Sequence, residues 1–68
     1  MTNLRLLRIM RELSIHALAN AVGLNPSELS RVERKLLRPS RRIRNALERY
    51  FHIQTDELLE EADLIPHQ

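Results

Sequence analysis

A chain of 68 residues, 43% hydrophobic and 29% charged, is one domain whose core alone leaves it only marginally stable. It has no cysteine, which excludes disulfides and thiolate metal sites, and no run approaches the ~20 apolar residues of a membrane span. The net charge of +2 conceals an asymmetry, because residues 1–50 hold all 11 basic residues against four acids, whereas residues 51–68 hold five acids and no Lys or Arg. A basic body with an acidic end suits a polyanion on one surface and repels it from another. The N-terminal MTNLRLLRIM carries arginines at helical intervals and no small-residue cleavage site, so it does not read as a secretory signal; the expected location is cytoplasmic, with no membrane partner.

Taken in order, the chain predicts five helices and no strand. The first, residues 3–13, begins at Thr2 or Asn3, with Leu6, Ile9, Met10 and Leu13 as its expected inward stripe. Ser14 caps the second, residues 15–22, where Leu18, Ala21 and Val22 recur at helical spacing and Ala19 lets another helix cross closely. Gly23 ends it, since a residue without Cβ readily takes the left-handed conformation that helix C-termini commonly need. Asn25 is a good N-cap, Pro26 suits the first helical position, and Glu28 has capping-box spacing, so a third helix runs over residues 26–34. Leu29 and Val32 form its inner face; Ser27, Ser30, Arg31 and Arg34 form a polar, basic outer one. After the loop Lys35–Pro39, Ser40 caps a fourth helix, residues 41–51, with Ile43, Ala46, Leu47, Tyr50 and Phe51 at core spacing. His52–Gln54 turns the chain into a fifth helix reaching about Glu61, with Glu57 and neighbouring acids near its N-terminus and Leu58 and Leu59 facing in. Residues 1–62 are thus one domain and 63–68 a C-terminal tail.

Two short helices joined by a glycine turn, the second with a polar basic face, form a helix-turn-helix, a unit that lays its second helix in the DNA major groove. The motif spans about residues 14–34. It closely resembles the phage repressor and Cro family, also called the XRE family, through Leu18-Ala19, Gly23, Leu24, Leu29, Val32 and Glu33, followed by Pro39-Ser40. The resemblance covers about Leu4 to Leu59. It departs at Ile15, where the family usually has a phosphate-binding glutamine, and at Lys35 and His52, where it usually or often has glycine. It implies a compact all-α, five-helix, repressor-like DNA-binding domain.

The expected function is a sequence-specific, double-stranded-DNA-binding transcriptional regulator, a repressor acting as a homodimer on an inverted-repeat operator. Arg31 is the expected base reader, because the resemblance places it toward the groove and an arginine there can reach guanine O6 and N7 with both arms. Pro26, Ser27 and Ser30 complete the base-contacting set, with Pro26 offering apolar contact to a thymine methyl. Ser14, His16, Asn25, Arg34, Arg38, Arg41 and Arg42 are the expected backbone contacts, His16 or Ser14 standing in for the missing glutamine. Arg8 and Glu33 match family positions that pair across the first and third helices.

His16, His52 and His67 are too scattered for a metal signature, and no nucleophile has a base at catalytic spacing, so neither enzyme activity nor a cofactor is expected. The rival reading is a protein-interaction module on the same fold, such as an antitoxin or regulatory subunit. The apolar pair Leu36-Leu37 keeps that rival open, and with Leu59, Leu64 and Ile65 it supplies two candidate dimer patches, of which the C-terminal one is preferred.

Overall fold

The computed structural model describes residues 1–62 and folds them into five helices: α1 Asn3–Met10, α2 Ile15–Val22, α3 Pro26–Glu33, α4 Arg41–Phe51 and α5 Thr55–Leu58. Residues 63–68, including Leu64 and Ile65, lie outside the described part. Four helix starts are fixed by side-chain oxygens that accept orphan backbone N–H groups: Thr2 from Arg5, Ser14 from Ala17, Asn25 from Ser27 and Glu28, and Ser40 from Ile43. In α3 only the forward half of the capping box forms, because the Glu28 side chain returns no bond to Asn25.

Each helix contributes one completely buried leucine to a single core: Leu4, Leu18, Leu29, Leu47 and Leu58. Val32, Ile43 and Phe51 fill between them, Ala19 is completely buried, and α2 packs against both α3 and α4. Burying one such leucine is worth about 1.5–3 kcal/mol, so five helices too short to persist alone hold one another in place.

Two elements are shorter than the sequence predicts. α1 stops at Met10 because Glu12 turns left-handed at φ 56°, and the Leu13 N–H reaches back to the Arg8 carbonyl at 3.0 Å while Glu12 N–H bonds Ile9. These are the two bonds of a Schellman turn, normally built on glycine. α1 also presents a different face inward. Leu4 and Leu7, with Leu13, pack on the core, whereas Ile9 and Met10 stand 46% and 68% exposed. α5 ends at Leu58 and lacks a cap from its own Gln54 or from Glu57. Glu48 of α4 supplies it instead, its Oε2 accepting the Thr55 N–H at 2.8 Å. Residues 1–3 and 60–62 then meet: Thr2 bridges Glu61, Asn3 N–H donates to the Glu60 carbonyl, and Ala62 N–H to that of Met1.

Candidate nucleic-acid interface

The angle between α2 and α3 is set by Gly23, left-handed at φ 74°, and by the Leu24 side chain, which the turn delivers into the core. With α2 held, the outer face of α3 projects away from the core. Pro26, Ser27, Ser30, Arg31 and Arg34 line one open concavity together with Ile15 and His16 from the start of α2. Arg31 is exposed and has no ion-pair partner among the described residues, so its guanidinium is free to reach outward. Arg34 folds back, its Nε donating to the Ser30 carbonyl at 3.3 Å, and extends the basic surface past the helix end.

His16 and Arg34 apart, the expected backbone contacts fall in three places. Ser14 and Asn25 are engaged as caps, so the anion-attracting ends they organise are as important as their own polar atoms. Arg41 and Arg42 line a second concavity between the α2–α3 turn and α4, and Arg42 Nη2 donates to the Gly23 carbonyl at 3.3 Å. Arg38 is elsewhere, in a groove of the α3–α4 loop that it shares with Leu36, Leu59 and the carboxylates Asp56 and Glu60. The second concavity also contains Asn45 and Arg49, which sequence reasoning did not single out; their signal is the spacing from Arg41, every fourth residue along one helix face.

Arg8 and Glu33 hold α3 from behind. Arg8 Nε donates to Glu33 Oε2 at 2.8 Å and its Nη2 to Oε1 at 3.1 Å, while Nη1 donates to the Leu13 carbonyl at 2.7 Å. The two side chains are 15% and 5% exposed. The Glu33 carbonyl also accepts the Thr2 hydroxyl at 2.9 Å, so the C-terminal end of α3 is fixed to α1 by backbone and side chain alike. Breaking a buried pair of this kind from one side typically costs about 3–5 kcal/mol, because the remaining charge is left unpaired. Arg11 has a packing role, its guanidinium 4.9 Å from the Phe51 ring centroid.

The Glu48 carboxyl is held off its ordinary value. The Thr55 N–H, helped by the Thr55 hydroxyl and the Arg44 charge, keeps its carboxyl below the usual carboxylate range against an opposing effect of burial.

A supporting helix, a glycine turn and a crossing helix with an exposed polar and basic face define a helix-turn-helix DNA-binding domain. The family model described as Helix-turn-helix matches residues 4–58, and the chain belongs to that family, in its XRE branch. It is accordingly a DNA-binding regulatory domain, of a family that is not enzymatic. No curated protein and no solved structure matches the chain. Among the described residues no helix is long and apolar enough to cross a membrane.

Proposed function

We propose that this chain is a sequence-specific transcriptional repressor that reads the major groove of double-stranded DNA with α3, binding as a homodimer to an inverted-repeat operator in the cytoplasm. The observation that carries the reading is the shared surface of Pro26, Ser27, Ser30 and Arg31 with the start of α2, polar, basic and free of carboxylates. Arg31 reads a base, Ser27 and Ser30 contact base edges or phosphate, and the starts of α2 and α4 fix the register on the backbone. Repression by occupancy needs no contact beyond DNA binding, and is therefore the simplest activity this surface supports. The domain is residues 1–62, with 63–68 as an appended tail.

The dimer reading is supported by the groove beside the α3–α4 loop. Leu36, 68% exposed, lines it together with Leu37 and Leu59, so the loop patch and part of the C-terminal patch form one surface. Lys35, Arg38, Asp56 and Glu60 rim it with both signs of charge, an arrangement that can complement its own copy across a two-fold axis.

Selection of bound sequences from random duplex DNA tests the function, with an enriched inverted repeat as the expected result; recovery of no consensus removes sequence-specific repression. The exposed Leu36 favours one second reading, a protein-interaction module such as an antitoxin or regulatory subunit. That reading predicts weak DNA binding without preference, and a stable complex with a different protein through the Leu36 groove.

A further inference from the structure

α4 carries four arginines, and the structure divides them. Arg44 turns toward α5, its Nη2 3.2 Å from Asp56 Oδ1. Arg41, Arg42 and Arg49 have no carboxylate partner among the described residues, and with Asn45 they line the concavity beside Gly23 and Leu24, which contains no acid. Arg41, Asn45 and Arg49 are four residues apart, so they form one stripe along the helix, about 12 Å long at 1.5 Å per residue. The stripe starts at the N-terminus of α4, whose free N–H groups add positive potential, and is continuous with the reading unit. Arg42 is bonded to the Gly23 carbonyl, and Gly23 and Leu24 directly precede the Asn25 cap of α3.

We infer that this stripe is a second phosphate-binding track, on which Asn45 and Arg49 hold backbone phosphates of duplex DNA lying outside the base pairs that α3 reads. The inference rests on the DNA-binding reading proposed above and extends it from the recognised core to its flanks. Twelve ångströms laid along a duplex covers about three nucleotide steps of one strand at ~3.4 Å each, enough for Arg41 to hold a phosphate at the edge of the core and Arg49 one beyond it. Arginine and an amide suit the task, a planar fork for the phosphate oxygens and a neutral donor between two cations. The track confers no base preference; it makes affinity depend on how far the duplex extends.

The test uses two fluorescent duplexes with the same core recovered by selection, one trimmed to that core and one with six extra base pairs on each side. The full chain is expected to bind the longer duplex more tightly. Arg49→Ala and Asn45→Ala should weaken binding to the longer duplex only, with Arg49→Ala lowering its log–log salt slope by about 0.9, the share of one phosphate. Arg49→Lys should restore most of that slope, and Arg44→Ala, on the paired side of α4, should leave the flank effect intact. Thermal unfolding of each variant separates contact from fold. Equal loss on both duplexes, or no flank effect in the parent, overturns the track while leaving the reading of α3 standing; binding to neither duplex removes both. Inorganic tripolyphosphate added without DNA supplies the other arm: protection of Arg49 and Asn45 by tripolyphosphate, with no flank effect, assigns the stripe to a free polyphosphate and overturns the inference.

Discussion

Arg31 and Arg41 are both exposed arginines near helix ends, yet their surroundings differ, and the proposed function gives them different tasks. Arg31 shares a concavity with Pro26, Ser27 and Ser30, so Arg31→Ala should cost ~1–3 kcal/mol on the best site and relax preference at one base pair. Arg41→Ala should weaken all sequences alike. Titrations on matched and mismatched duplexes separate the two, and an equal loss on every sequence would reduce Arg31 to a phosphate contact. Lys35 shows a different constraint. Its φ of 63° places an ordinary side chain where glycine is at ease, and its ion pair among the described residues, 3.7 Å to Glu61, joins two exposed groups and contributes little. Lys35→Gly should raise stability by up to about 1 kcal/mol in urea unfolding, and a loss would mean that the lysine side chain outweighs the backbone strain. The sequence showed the Lys35 position because the resembling family has glycine there. It could not show Glu12 in the same conformation, since no neighbouring residue type marks that turn.

The helices themselves were legible where capping residues and apolar spacing agreed. Ser14, Gly23, Asn25-Pro26 and Ser40 placed α2, α3 and α4 to within a residue, because each start or stop has a local chemical cause. α1 was misread in face and length, as five of its eight residues are apolar and either side satisfies a helical period. Tertiary packing decides such a case: Leu4 is taken by the core and Arg8 by Glu33, which leaves Ile9 and Met10 outside. α5 was misread for the opposite reason, its cap coming from a residue seven positions upstream. That link makes α5 sensitive to acid. The folded-state pKa of Glu48 is depressed, so the bond stabilises the fold fully above the ordinary carboxylate pKa, and the contribution disappears as pH falls through the lower folded-state value. Glu48→Gln should therefore be less stable than the parent at neutral pH and converge with it in acid; a constant difference across the titration would show that charge on Glu48 is irrelevant. Of the candidate interface, the α3 face was visible in sequence, whereas the spacing of Asn45 and Arg49 from Arg41 gained a meaning only when α4 was seen beside the α2–α3 turn.

For the molecule as a whole, one α3 reaches only a few base pairs, too few to discriminate against a genome of competing sites, so the proposed sequence-specific function calls for two copies acting together. A two-fold dimer puts the reading helices ~34 Å apart on one duplex face and the half-site centres ~10 base pairs apart. Sedimentation of the protein and of a Leu36→Ser, Leu59→Ser variant tests whether the groove beside the loop holds that dimer. The expected result is a dimer in the parent and a monomer in the variant; a parent that stays monomeric at high concentration and binds DNA one-to-one excludes the arrangement. The three non-glycine residues that are left-handed among those described, Glu12, Lys35 and His52, have a further effect that reaches beyond structure. Each turn forgoes about 1 kcal/mol that glycine would return, and each such increment changes the unfolded fraction about fivefold. Under the proposed function, operator binding repays that deficit by mass action, since only the folded form engages DNA. The proposed function then predicts that, in a cell with active proteases, copies on their operator outlast surplus copies, so that abundance follows the number of sites to be occupied.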